Sequence, residues 1–365
     1  MKPTEKDVLD ALRTCKDPEL GRDLVSLGMI RAVRIEEGTV SFDLVLTTPA
    51  CPLKGRMEEE ARAAVLRVPG VREVRVRMDA EVQKDARLES VLPPGVRNVV
   101  AVGSGKGGVG KSSVSVNLAA ALAREGARVG LLDADVYGPN QPQMLGLGGR
   151  RPKVDAENRI LPLENHGVRL MSMGFLMDDD TPVIWRGPML HGAVRQFLAE
   201  VLWGELDYLL VDLPPGTGDV QLSLCQSAPI VGALVVTTPQ SIAVSDVRKA
   251  VAMFRKLEVP VLGVVENMSV FACPHCGKAS RLFGAGGGKG LSEDFRIPDL
   301  GSIPLDPLVC EGGERGVPVV LSHPESAAAA AFRSLARQVA AQVSLQNHNR
   351  RAREAAPAAA SGGKP

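Results

Sequence analysis

Eight consecutive residues, Gly105-Lys106-Gly107-Gly108-Val109-Gly110-Lys111-Ser112, fit the phosphate-loop pattern G-x-x-x-x-G-K-[ST] in full. Glycines let backbone N–H groups turn inward around a polyphosphate. The helix that follows directs its positive end at the same anion. Lys111 is expected to reach the β- and γ-phosphates, and the Ser112 hydroxyl to bind Mg²⁺. Ser113 belongs to the same set. A second chemistry is carried by Cys273-Pro274-His275-Cys276, with Gly277 closing the turn. C-x-x-C places two thiolates on one metal. Two thiolates are half a site, and the sequence holds no second C-x-x-C. A second copy of the chain would bring four thiolates together across a two-fold axis. Such a set suits a [4Fe–4S] cluster or a zinc ion, and a redox dithiol is a further reading.

Carboxylates complete the phosphate site. Asp133 and Asp135 end a strand that starts at Val129, and Asp212 ends the strand Tyr208 to Val211. Carboxylates at the carboxyl ends of parallel strands face the ligand crevice. Asp212, continuing as Asp212-Leu213-Pro214-Pro215-Gly216-Thr217-Gly218-Asp219, fits a Walker B aspartate that holds Mg²⁺ through water. Gly216 would let the backbone approach the γ-phosphate. Where a guanine reader carries Asn-Lys-x-Asp, this chain has Glu266-Asn267-Met268-Ser269, with neither the Lys nor the Asp. An Asn side chain both donates and accepts, as adenine pairing needs. The expected nucleotide is ATP, with Asn267 either touching the base or serving the scaffold.

These residues need a frame. Apolar runs at Val99–Val102, Val129–Leu132, Tyr208–Val211, Ala233–Val236 and Val261–Val265 alternate with helical stretches. Near-continuous apolar strands separated by helices imply a mainly parallel α/β sheet covered on both faces. A helix over Asn117 to Arg124 follows the phosphate loop, and an Ala-rich helix runs from about Glu325 to Val343. Residues 1–88 read as a small α+β domain: a helix with Val8, Leu9 and Leu12 on one face, two strands about Glu37-Gly38, a helix from Met57 to Leu66 and a last strand from Val71 to Met78. Pro93-Pro94-Gly95 marks a linker over 89–97, the ATPase domain spans 98–343, and the Arg- and Ala-rich residues 344–365 are expected to be disordered.

Bulk properties narrow the function. With 365 residues, a net charge of +1 and 3% aromatic residues, the chain offers little for nucleic acid. No apolar run reaches the ~18 residues of a membrane span. The expected location is the cytoplasm; six Cys in so long a chain do not make a disulfide framework, and clustered thiols in such a compartment read as metal ligands or redox groups.

Lys106, just after the first loop glycine, makes the run resemble the deviant Walker A loop of MinD, ParA and the nitrogenase iron protein. That resemblance implies that Lys106 crosses a dimer interface to the partner's nucleotide, that Asp135 orients the attacking water, and that Asp133 lies nearer the metal. With Asp133-Ala134-Asp135-Val136-Tyr137-Gly138-Pro139-Asn140, Arg186-Gly187-Pro188-Met189, Asp212 to Asp219 and Cys273 to Cys276, the chain resembles the Mrp/ApbC iron–sulfur cluster carriers. Asn140 departs from the Ser usual there. The first 85 residues are similar to a small iron–sulfur assembly domain, on Asp17-Pro18-Glu19-Leu20-Gly21, Leu27-Gly28-Met29-Ile30 and Thr47-Thr48-Pro49-Ala50-Cys51-Pro52. Cys51 is then either a cluster or metal ligand during transfer or a small buried hydrophobe; Cys15, Cys225 and Cys310 read as structural. The resemblance implies a homodimer that hydrolyses ATP, bridges a cluster, and serves apo-proteins and an assembly scaffold. An ATP-driven electron donor and a positioning ATPase of the MinD or ParA type are the alternatives.

Overall fold

The structure, a computed structural model, describes residues 2–85, 87, 95–135, 138–176, 187–216, 218–273 and 275–355. Pro93-Pro94, Val136-Tyr137, Arg186, Thr217, Pro274 and residues 356–365 lie outside the described residues. The chain forms two compact units. One holds the residues up to Gln83 with those from Ala340 onward, and the other runs Lys84–Val339.

In the first unit, Thr4 caps α1 (Glu5–Leu12) by accepting from the Asp7 N–H, while the Asp7 carboxylate accepts from the Thr4 N–H. Strands β1 (Ile30–Glu36) and β2 (Thr39–Leu46) pair antiparallel about Glu37-Gly38, both with positive φ. Helix α2 (Lys54–Leu66) then crosses over, so that β3 (Glu73–Ala80) joins β2 in parallel. Val8, Leu12, Phe42, Leu44, Met57 and Val65 close the core beneath this sheet.

The second unit opens with β4 (Val99–Ser104), α3 (Lys111–Arg124), β5 (Val129–Asp133) and the single turn α4 (Gln141–Met144). The small strands β6 (Lys153–Val154), β7 (Ile160–Leu161) and β8 (Leu163–Asn165) lead to β9 (Val168–Ser172), and α5 (Gly187–Glu200) follows. Next come β10 (Tyr208–Asp212), α6 (Asp219–Ser227), β11 (Gly232–Thr237), α7 (Ser241–Lys256) and β12 (Val261–Glu266). The hairpin β13 (Phe271–Ala272) and β14 (Ala279–Ser280), then α8 (Gly287–Phe295), β15 (Asp299–Ser302), α9 (Pro307–Arg315), α10 (Val319–Ser322) and α11 (Ala327–Ala355), whose residues from Ala340 belong to the first unit, complete the order. The central sheet runs β15-β12-β11-β4-β10-β5-β9-β8, parallel throughout except for the edge pair β8–β9. β4, β5, β10 and β11 are buried at every residue, as a sheet covered on both faces requires. Among the described residues, no helix is long and apolar enough to cross a membrane.

Three expectations need correction. The helix after the phosphate loop starts at Lys111, not Asn117: Gly110, with φ 79°, is its N-cap, and the weak helix formers Ser112, Ser113 and Ser115 form its first turns. The C-terminal helix runs through 344–355, residues expected to be disordered; Ser344 and Asn347 are buried, and Asn347 donates to the Gln83 carbonyl at 3.3 Å. Residues 95–97, expected to end a linker, are instead paired: the Leu206 N–H donates to Gly95 O and the Arg97 N–H to Leu206 O.

Leu44 is fully buried in the first unit. Leu44→Ala is expected to cost about 2–5 kcal/mol. Urea unfolding should show this as an earlier loss of the first unit, with nucleotide binding by the second unit unchanged.

Candidate functional site

Strands β4, β5, β10, β11 and β12 all end at one edge of the sheet, and the chemistry collects there. After β4 the chain turns through Gly108 and Gly110, each with φ 79°, and enters α3 at Lys111. The turn is tightly seated. A Cβ on Gly105 would lie 2.2 Å from the backbone carbon of Asp246 and 2.3 Å from the Val247 nitrogen in α7. A Cβ on Gly110 would lie 2.2 Å from Asn267 Nδ2. That nitrogen donates to the Val109 carbonyl at 2.9 Å, so Asn267, one residue past β12, braces the loop from outside. The Lys106 carbonyl accepts from Ser104 Oγ at 3.0 Å. The half-buried Lys106 side chain has no hydrogen-bond or ion-pair partner among the described residues. Gly216, with φ 93°, donates its N–H to Ser104 O at 3.2 Å.

A buried charge cluster faces the loop. Asp133 and Asp212 lie side by side in register on β5 and β10, both fully buried. Lys111 Nζ donates to Asp212 Oδ1 at 2.8 Å, lies 3.9 Å from Asp135 Oδ2 and reaches Ser112 Oγ at 3.3 Å. Ser115 Oγ donates to the same Asp212 Oδ1 at 2.7 Å, and Ser172 Oγ to Asp133 Oδ2 at 2.9 Å. Burial pushes the Asp133 carboxyl up to about 8, and the neighbouring Asp212 charge adds to the rise. Lys111 thus lies between the Asp212 and Asp135 carboxylates, with the Asp133 carboxyl beside Asp212 on the next strand. Among the described residues no three His, Cys, Asp or Glu side chains converge as a metal set. Ser112, and Asp212 through water, are the side chains that would hold Mg²⁺ beside bound phosphates.

Two features escaped the sequence reading. Gln141, fully buried at the start of α4, donates from Nε2 to Asp212 Oδ2 at 2.9 Å and to Ser112 O at 3.1 Å. Beside the loop lies a cavity of about 450 Å³, lined in part by Ser113, Asn267, Met268, Pro304, Leu305 and Asp306. Its walls are mostly apolar and its size suits a nucleoside. Pro304 and Leu305 follow β15, and that position at a strand end is the signal a sequence reading could have used. Cys310, read from sequence as structural, is exposed at this cavity.

The thiol pair sits on the β13–β14 hairpin. The Cys273 N–H donates to Lys278 O at 3.1 Å, and the Gly277 N–H closes back to Cys273 O at 2.8 Å with Gly277 at φ 68°. Cys273 is half-buried and Cys276 exposed. Hydrogen bonds from the backbone of Cys276, then of His275, and from the Cys276 side chain hold the Cys273 thiol below the ordinary range. A turn that aims its amides at a sulfur favours thiolate, the form a metal needs. Cys225, buried in α6, is pushed up to about 12 by desolvation. In the first unit, burial pushes the half-buried Cys51 thiol up; the Leu53 amide opposes this, and Glu19 and Asp17 add to it. Cys15 is buried.

Gly105→Ala should distort the loop, because α7 backbone cannot yield like a side chain end; it is expected to cost about 1–3 kcal/mol in thermal unfolding and to weaken nucleotide binding. A lowered thiol pKa means more thiolate at neutral pH. Iodoacetamide at pH 7 should therefore label Cys273 well before Cys225, the Cys225 rate staying near zero until pH approaches 12, as read by peptide mass spectrometry.

Residues 95–340 match the family model of the NUBPL iron-transfer P-loop NTPases, and residues 5–77 match that of an iron–sulfur cluster assembly protein. The iron–sulfur cluster carrier protein of Deinococcus radiodurans is 55% identical over 339 residues, covering 93% of this chain and 95% of that relative. Among solved structures, a nucleotide-binding protein from Archaeoglobus fulgidus in complex with ADP is similar with a TM-score of 0.54 and 41% identity, over 60% of this chain and 87% of that one. The septum site-determining protein MinD of Pyrococcus horikoshii, complexed with Mg-ADP, matches in fold with a TM-score of 0.52 and 24% identity, over 66% of this chain and 95% of that one. With a phosphate loop, strand-end carboxylates and a thiol pair on one sheet edge, and with these likenesses over most of its length, the chain belongs to the NUBPL iron-transfer P-loop NTPase family.

Proposed function

We propose that this protein is a cytoplasmic, ATP-hydrolysing carrier that takes up an iron–sulfur cluster between two copies of itself and hands it to apo-proteins. One observation carries the reading: Cys273, in the thiol hairpin, stands seven residues past β12, beyond the residue that braces the phosphate loop. Cargo ligands and nucleotide cradle thus share one support. Relatives named as iron–sulfur cluster carriers support the same cargo.

In this proposal the loop amides of Gly105 to Gly110, with Lys111, Ser112 and Ser113, hold the phosphates of ATP. The adenosine occupies the adjoining cavity, with Asn267 at its wall. Ser112, and Asp212 through water with Asp133 nearby, would hold Mg²⁺, which would neutralise charge on the phosphates. Asp135 orients the attacking water. The free ammonium of Lys106 reaches the partner's nucleotide, where developing charge needs a counterion. Gly216 exchanges its bond to Ser104 O for the γ-phosphate, and a nucleotide-dependent choice between two dimer states follows. The cargo is held by Cys273 and Cys276 of each copy. Transfer is ligand exchange: each recipient thiol loses its proton as its sulfur bonds iron, and each released carrier thiolate takes a proton up. No electron is transferred. The thiol of Cys51, raised by burial, serves as a later ligand in this scheme once it deprotonates.

Anaerobic reconstitution with iron and sulfide tests this reading. The wild-type protein should develop thiolate-to-iron absorbance at roughly two cysteine pairs per cluster and elute as a dimer. Cys273→Ala/Cys276→Ala should bind ATP but gain no absorbance, whereas Lys111→Ala should load a cluster but hydrolyse no ATP. A double cysteine variant with the wild-type spectrum would overturn the cargo site, and ATP turnover by Lys111→Ala would overturn the phosphate site.

A further inference from the structure

Gln141 is a neutral side chain in the midst of the charge cluster, and it touches three separate elements. Its Nε2 spans from the Asp212 carboxylate at the end of β10 to the Ser112 carbonyl in the first turn of α3, at 2.9 and 3.1 Å. Its backbone N–H donates to Asp133 Oδ2 at the end of β5, at 3.3 Å. No part of the residue is exposed to solvent. Its remaining polar atom, Oε1, is buried without a hydrogen-bond partner among the described residues. A buried amide oxygen left unpaired is costly, and a folded protein seldom keeps one without use. A purely structural clamp would need only the two N–H donors. The spare acceptor sits on the side chain that already grips the Asp212 carboxylate and the backbone of Ser112, the two residues proposed above to face the metal.

We infer that Gln141 is a positioning residue for the metal–nucleotide site: its amide nitrogen fixes the Asp212 carboxylate against Ser112, and its amide oxygen accepts from a metal-bound water. This rests on the phosphate-loop reading given above. Partners that orient the groups around a metal commonly change its affinity when removed. The amide is neutral, so it organises a site already crowded with acidic side chains without adding a negative charge.

The test separates metal binding from nucleotide binding. ADP and a non-hydrolysable ATP analogue are titrated into the full chain by calorimetry, first with EDTA and then across a Mg²⁺ series. Gln141→Met, of similar length and without polar atoms, should leave metal-free ADP binding as in wild type while raising the half-saturating Mg²⁺ concentration roughly 10- to 100-fold. Gln141→Asn keeps both polar ends on a shorter stem and should fall between the two. A Mg²⁺ dependence in both variants like that of wild type overturns the inference. So does a parallel fall of metal-free and metal-loaded affinity, which is the mark of a scaffold residue. If Gln141→Met does not fold, Gln141→Asn decides alone: an unchanged half-saturating Mg²⁺ concentration overturns the inference, and a raised one with intact metal-free binding supports it. Wild-type protein that binds no nucleotide under either condition removes the phosphate-loop reading itself.

Discussion

One ammonium group governs this edge of the molecule. Lys111, nearly buried, is the cation set among Asp212, Asp135 and Asp133, and two of those carboxylates are fully enclosed on neighbouring strands. Like charges so placed repel across a medium that screens them poorly. The cluster holds because the ammonium, Ser115, Ser172 and Gln141 each offer a proton to a carboxylate oxygen, and because Asp133 resists ionisation. Such a site is organised for more positive charge than it owns. A divalent ion would supply that charge, and an anionic phosphate chain would complete the balance.

Sheet topology explains why the groups meet at all. A parallel sheet points every carboxyl end the same way, so residues far apart in the chain arrive at one edge. Asp133 and Asp212 are neighbours because β5 and β10 pair in register, residue opposite residue. The phosphate loop is wedged between α7, which leaves no room for a side chain at Gly105, and Asn267 at the end of β12. Glycine is required at Gly105 by the approach of another backbone, and at Gly108 and Gly110 by their left-handed φ. The loop is thus shaped by its surroundings as well as by its own composition.

Much of this was legible from residue order alone. The buried strands announced themselves by unbroken apolar runs, and the phosphate loop, the strand-end aspartates and the thiol pair by fixed spacing. What stayed hidden has physical reasons. The partnership of Gln141 with Asp212 joins positions with no shared local period, since it exists only once two strands are paired. The cavity by Pro304 and Leu305 is made by segments that have no motif of their own. Residues 344–355 have so few apolar side chains that they resemble a solvated tail, yet Ala, Arg and Gln are good helix formers and extend α11 to Ala355. Residue type alone leaves Asn267 open as a base contact or a scaffold residue; its amide nitrogen is committed to Val109 O, and the residue also borders the cavity.

The strand that carries the thiols is stitched to the cavity wall. The Ser269 N–H donates to Ile303 O, the Leu305 N–H to Val270 O, and Phe271 forms a bridge with Leu305. Two residues on, the chain reaches Cys273. The floor beneath the sulfur hairpin and the wall beside the phosphate loop are thus a single backbone ladder. Main-chain hydrogen bonds alone join the two, so the link does not depend on which side chains occupy these positions.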